Sequence, residues 1–349
     1  MSDGEFQDSA VPDGPDLLRG LGLWGTWIYK VNEATIEKIE SLGYRIEGEE
    51  LGRGSFSIVL RARHQDSGRF VAIKIIFDAS SPHALRQYHR EVLMLTSDDL
   101  PYGLAPICYH NSQNASCQPF VVLEYIDGEK IHEFVTRRRL SVQQRTKIVE
   151  QLFLAYAGLH KAQWIHGDPS PHNGLVDRRG AIRVIDFGNC RRISADGSVA
   201  VDAEECSGTP SFAPNEQVAG TQPACVASDL YGVAALSYLI FTGEALPDSF
   251  RRDSTGLKTK LHGAGVPGWM VRIVANALRA QDVVPGLSSD RTAFHSFADV
   301  SAAIRRANRT SSYGPVAVGT LLIVCSILAT FAGVGLWWRS MVATSMVQE

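Results

Sequence analysis

The chain is poor in the features that mark several functional classes. Its six cysteines are scattered, and no two form a C-x-x-C pair. That removes zinc-ribbon and thiol-redox readings and points to reduced thiols in a cytosolic compartment. No charge of one sign dominates: 34 Lys and Arg stand against 37 Asp and Glu, a formal net charge of −3. Basic residues do not gather in long blocks; the nearest, Arg137-Arg138-Arg139, reads as a solvated helix end. A nucleic-acid partner is therefore not expected. The first residues carry Asp3, Glu5 and Asp8 where a secretory leader is basic. The apolar patch Leu17 to Tyr29 is broken by Arg19, Gly20, Gly22 and Gly25, which suits docking onto the body better than entering a membrane. No internal repeat is visible. What remains is an ordinary globular balance, with 45% hydrophobic and 20% charged residues and ample length for a sizeable core.

Chemistry concentrates in a series of short motifs. Tyr44 to Ile76 alternates apolar and polar residues around glycines, as hairpin strands do, and L-G-R-G-S-F-S-I-V puts Gly52 and Gly54 at the turn. Glycine lets backbone amides approach phosphates without a Cβ in the way. Val71-Ala72-Ile73-Lys74 places one lysine on an apolar strand, and His89 to Leu95 reads as a helix carrying Glu91. Phe120 to Gly128 is a buried strand ending in E-Y-I-D-G. Ser141 with Gln144 forms a capping box for a helix to about Lys161, its core face built by Ile148, Leu152, Ala155, Tyr156 and Leu159. Then comes W-I-H-G-D-P-S-P-H-N-G-L-V, followed by V-I-D-F-G. Asp168 is an acid positioned to meet a hydroxyl; Asn173 and Asp186 are oxygen donors suited to magnesium on a nucleotide. Phosphoryl transfer needs this set, because its work is mostly positioning and charge neutralisation.

These motifs, in this order, resemble the eukaryotic-like, bacterial-type Ser/Thr protein kinases over roughly Tyr44 to Ile304. The resemblance implies an α+β, bilobal protein-kinase-like fold with a β-rich N-lobe and a helical C-lobe, using ATP and Mg²⁺. Leu51, Gly52, Arg53, Gly54 and Ser55 would cover the phosphates, with Ser57 where the family usually has a third glycine. Val59, Ala72 and Leu175 would sandwich adenine, Leu123 would be the gatekeeper, and Glu124 and Ile126 would offer backbone bonds. Lys74 would hold the α/β phosphates and pair with Glu91. Asp168 would orient the attacking hydroxyl of a protein substrate, and Asn173 and Asp186 would bind the metal. Thr209, in G-T-P-S-F-A-P, would contact Asp168. Asp229 would brace the catalytic-loop backbone, and Arg291 would pair with Glu216.

The far end differs in kind. Val316–Trp338 holds no charge, and as a helix it matches the roughly 30 Å hydrocarbon core at about 1.5 Å per residue. Trp337 and Trp338 before Arg339 look like an interfacial anchor, and Arg305, Arg306 and Arg309 precede the run. The expected architecture is thus an N-terminal extension (1–43), a kinase domain (N-lobe 44–126, C-lobe 127–306), a linker (307–315), one C-terminal transmembrane helix (316–338) and a short external tail (339–349). It is that of a single-pass membrane protein with a cytoplasmic kinase domain and the lipid bilayer as a partner. Ala329 and Gly333 would support homodimer formation through the membrane helix.

Two departures keep alternatives open. His166-Gly167-Asp168 replaces H-R-D, and Ser170 stands where a lysine usually steadies the transferred phosphate. Loops of this kind are similar to those of aminoglycoside and choline phosphotransferases and of atypical kinases. A small-molecule phosphotransferase or a weakly catalytic pseudokinase scaffold therefore stands beside the protein-kinase reading. The arginine missing at Gly167 is the group that would pair with a phosphorylated loop. Replacing Ser194, Ser198, Ser207 and Ser211 together by alanine is accordingly expected to leave phosphotransfer within about threefold of wild type, read from initial rates; a collapse of the rate would show a phosphorylation switch.

Overall fold

The computed structural model describes residues 30–97, 108–110, 116–194, 199, 208–251, 253–279 and 294–310. The N-terminal part is a five-stranded sheet of order β1-β2-β3-β5-β4, from β1 (Tyr44–Arg53), β2 (Ser57–His64), β3 (Phe70–Ile76), β4 (Cys108–His110) and β5 (Phe120–Glu124). Register decides what each face does, because antiparallel partners point the same way. Val59 pairs with Lys74, Lys74 with Val121, and Ala72 with Leu123, so these five share a face. Ile58, Leu60, Ile73, Ile75 and Val122 take the other face and are fully buried.

That second face is covered by α1 (Glu33–Ser41), which lies upstream of the expected domain start yet contributes Val31, Ile36 and Ile39 to the same core. Asn32 caps the helix by accepting the Thr35 amide at 2.9 Å. Gln118 ties it to the sheet: its side chain accepts from Asn32 N at 3.0 Å and donates to the Lys30 and Phe77 carbonyls, and its amide donates to Thr35 Oγ1 at 2.8 Å. On the Lys74 face lies α2 (Pro82–Leu95), capped by Ser81 with proline in its first turn.

The C-terminal part begins with β6 (Gly128–Lys130) and α3 (Ile131–Arg137). The capping box of Ser141 and Gln144 opens α4 (Val142–Lys161), whose Ile148, Leu152, Tyr156 and Leu159 are buried. Next come β7 (Trp164–Ile165), β8 (Gly174–Asp177), β9 (Ile182–Val184), β10 (Arg191–Arg192) and α5 (Asn215–Val218). The lobe is built around α6 (Val226–Thr242), flanked by α7 (Ser254–Gly263) and α8 (Gly268–Leu278). Gly243 ends α6 at φ +77°, a left-handed position that favours glycine. In α9 (Phe297–Thr310), Phe297 stacks on Tyr156 and meets the His160 ring at a tilt. Two compact units divide the chain, Met1–Ser301 and Ala302–Glu349, and the last turns of α9 are the described part of the second.

The expectation of a transmembrane helix is corrected. No helix among the described residues is long and apolar enough to cross a membrane. The 20-residue α4 carries Arg145, Lys147, Glu150 and Lys161, and the apolar α6, at 17 residues, falls short of the roughly 20 a bilayer requires and is buried in the lobe core. Val316–Trp338, like Leu17 to Tyr29 and Arg291, lies outside the described residues. The single-pass C-terminal anchor, the bilayer as partner and pairing through the membrane helix thus find no support among the described helices.

Because Ile39 has no exposed surface, Ile39→Ala should cost about 3 kcal/mol of stability. A fall in the urea midpoint at unchanged slope checks this; an unchanged midpoint would show that α1 is dispensable to the N-lobe.

Candidate active site

Lys74 is buried on β3, and the strand alternation aims it away from the α1-covered face. Glu91 reaches it because Ala84, Tyr88, Glu91 and Leu95 recur at helical spacing and form the buried face of α2. Lys74 Nζ lies 2.6 Å from Glu91 Oε2 and 2.8 Å from Asp186 Oδ1. Burial alone would lower the Lys74 ammonium; Asp186 and Glu91 together raise it above its ordinary value. Lys74 holds the Asp186 carboxyl below the usual carboxylate range. For Glu91 burial pushes upward against the pull of Lys74. Glu91 Oε1 also accepts the Phe187 amide at 3.3 Å, so one side chain of α2 holds both the lysine and the backbone of D-F-G.

The opposite wall comes from the catalytic loop. The β8–β9 hairpin brings Asn173 and Asp186 to its open end, with Ile185 N donating to Asn173 O at 3.0 Å. Asp168 is half-buried. Its Oδ1 accepts both the amide and the hydroxyl of Thr209 at 2.8 Å, and its Oδ2 accepts Asn173 Nδ2 at 3.0 Å. Asn173 Nδ2 also reaches the Asp168 carbonyl at 3.0 Å, which directs its oxygen the other way. The Asp186 side chain is 51% exposed and left-handed at φ +63°. Asn173 and Asp186 thus each present an oxygen fit for a hard cation such as Mg²⁺.

Below the loop, the fully buried Asp229 in the first turn of α6 accepts His166 N at 2.7 Å and Gly167 N at 2.9 Å. His160 Nε2, from the last turn of α4, lies 2.7 Å from the same carboxylate. His160 and Gln217, which donates to Gly167 O at 2.7 Å, escaped the sequence reading; nothing in their type or spacing separates them from ordinary helix residues. Gly167 has φ +80°, and a Cβ there would stand 2.6 Å from Asn189 O. An arginine is thus excluded by the backbone. Ser170 is 2% exposed, and its hydroxyl has no hydrogen-bond partner among the described residues.

The remaining expected residues frame the sheet side. The β1–β2 register breaks just before Gly52, bending the hairpin ahead of Gly54 and Ser55. Leu51 is half-buried, Gly54 and Ser55 are exposed, and Arg53 is engaged with Glu50. A Cβ on Gly52 would meet nothing within 4 Å; the chain itself does not require glycine there. Val59, Ala72 and Leu175 are half-buried, as are Leu123 and Ile126. The Glu124 side chain turns outward to Arg183, at 2.6 Å. Glu216 is described but Arg291 is not, so their pairing lies outside the described residues.

Residues 45–265 match the family model of the protein kinase domain. The chain belongs to this family. The protein kinase domain is similar to a probable serine/threonine-protein kinase of Streptomyces coelicolor, 30% identical over 59% of this chain and 31% of that protein. It is also similar to the serine/threonine-protein kinase pkn3 of Myxococcus xanthus, 29% identical over 62% of this chain and 40% of the relative. A third relative, PrkC of Bacillus subtilis, is 29% identical over 62% of this chain and 34% of its own length. The chain thus spans between 31% and 40% of the length of these curated relatives.

The kinase-domain triad generates a test. Lys74→Met leaves Glu91 buried without its cation, a loss of about 3–5 kcal/mol. Adding Glu91→Gln should restore more than half of it, because the two changes share one interaction. The single-variant loss should be full near neutral pH and shrink on acidification, as Asp186 is protonated below the ordinary carboxylate range. Denaturant titrations of the three variants check this, and purely additive losses would refute the coupling.

Proposed function

We propose that this chain is a Ser/Thr protein kinase that passes the γ-phosphoryl group of ATP to hydroxyls of protein substrates. The observation that carries the reading is the state of Asp168. Its Oδ1 is filled by two donors from Thr209, while Oδ2 has one donor and keeps an acceptor position for the incoming hydroxyl. The carboxylate is thereby held in one orientation, and it takes the hydroxyl proton as the new O–P bond forms and the bond from the γ-phosphorus to the leaving ADP oxygen breaks. Lys74, buttressed by Glu91, supplies a fixed positive charge for the phosphates. Mg²⁺, when bound, supplies neutralisation of charge on the transferred group; Asn173 and Asp186 would hold it. The open space over Gly52 suits backbone approach to phosphates. Ser170 stands in place of the usual lysine, and its hydroxyl, buried and without a partner among the described residues, would donate to the transferred group only after the loop uncovers it.

The small-molecule phosphotransferase reading drew on Gly167 and Ser170. Gly167 answers a backbone requirement, the contact with Asn189 O, so it carries no weight as a mark of substrate class. The Thr209–Asp168 pair supports an acceptor presented on a polypeptide.

The full chain with labelled ATP and Mg²⁺ should place label on serine or threonine of protein acceptors, and Asp186→Ala should abolish it. Ser170→Ala should lower kcat about fivefold. Label appearing only on an aminoglycoside would replace the reading with the small-molecule one, and nucleotide binding without any transfer would replace it with a scaffold.

A further inference from the structure

The catalytic aspartate and Thr209 come from segments far apart in sequence, and both are preceded by a glycine in the left-handed region: Gly167 at φ +80° and Gly208 at φ +97°. One side chain touches both. Gln217, 2% exposed on the short helix α5, donates from Nε2 to Gly167 O at 2.7 Å. The same nitrogen lies so close to Gly208 that a Cβ there would stand 2.8 Å from it, and 2.7 Å from the Ala213 Cβ. The Gly167 amide is already taken by Asp229 at 2.9 Å. Both backbone polar groups of Gly167, the residue before Asp168, are therefore held by buried side chains. Gln217 holds the carbonyl side while its amide also packs against the residue leading into Thr209.

We propose that Gln217 is a positioning residue that sets the Thr209–Asp168 pair, and through it the transfer step, without a part in nucleotide binding. The proposal rests on the kinase reading above. Its physical basis is separation of roles. Lys74, Glu91 and Asp186 form the nucleotide side and bond to one another, whereas Gln217 meets the two glycines that precede Asp168 and Thr209, the residues joined by two 2.8 Å bonds. With Gln217 removed, the Gly167 carbonyl loses a buried donor and Gly208 loses the surface it rests on. The loop can then rotate by the small amount that takes Asp168 off line. The arrangement also joins the end of the activation segment to the catalytic loop with no phosphate group taking part.

The test uses the full chain and Gln217→Met, which keeps length and volume but removes the donor. The expected result is a fall in kcat of about tenfold, the size of one buried hydrogen bond left unmade. The KM for ATP and the affinity for a non-hydrolysable ATP analogue with Mg²⁺ should stay within about twofold. Gly208→Ala, which pushes the same amide from the other side, should reproduce the split and decides the matter if Gln217→Met does not fold. A kcat within twofold of wild type in both variants would overturn the proposal alone. So would a kcat loss matched by an equal loss of analogue affinity, since that marks a merely structural role. A wild-type chain that binds the analogue but transfers nothing would overturn the kinase reading and this proposal together.

Discussion

The site depends on one buried charge. Asp229 has no exposed surface, and an unpaired carboxylate so placed would be prohibitive. It persists because three nitrogens converge on it: the amides of His166 and Gly167 and the His160 ring, all within 2.9 Å. Its place in the first turn of α6 adds the positive end of the helix dipole. The carboxylate in turn dictates the loop. The backbone at His166 and Gly167 must face α6, which turns Asp168 toward the opening and brings Gly167 against Asn189, leaving no room for a side chain there.

A second charged cluster joins the two lobes of the kinase domain. Lys74 belongs to the sheet, Glu91 to α2 and Asp186 to the segment after β9, yet all meet within 2.8 Å of one nitrogen. The Phe187 amide on Glu91 makes the position of α2 and the conformation of D-F-G one variable. A third link, between Gln87 and Asn189 at 3.3 Å, ties α2 to the stretch that packs on Gly167. Glu91 thus braces the Lys74–Asp186 cluster, Asp229 and Gln217 brace the backbone of Gly167, and the Gln87–Asn189 bond connects the two.

Much of this was readable before any fold was known, and the unreadable part has a common cause. Motif order and local pattern mark Lys74, Asp168, Asn173 and Asp186, since each sits in a short run with its own signature. The capping box at Ser141 and the buried face of α4 follow from nearest-neighbour rules, which act within one turn or two. His160 and Gln217 carry no local mark; their importance comes from the partners they find, Asp229 and Gly167. Helix α1 was set apart as an extension because the motifs that carry the resemblance begin at Tyr44, and its place in the core of the sheet shows only in the fold. The expected membrane helix has no counterpart among the described residues, where no helix has the length and apolarity to cross a bilayer.

The sequence by itself determined the strand alternation, the start of α4 at Ser141, the family and the side chains that carry charge at the centre, because these depend on residue type and spacing along the chain. The tertiary structure alone decided that Gly167 must be glycine, that Ser170 is buried with an unengaged hydroxyl, and that Thr209 and Asp168 share an oxygen. Those are contacts between segments tens of residues apart. Their geometry is set by how the sheet, α2 and α6 pack, which local propensity does not encode.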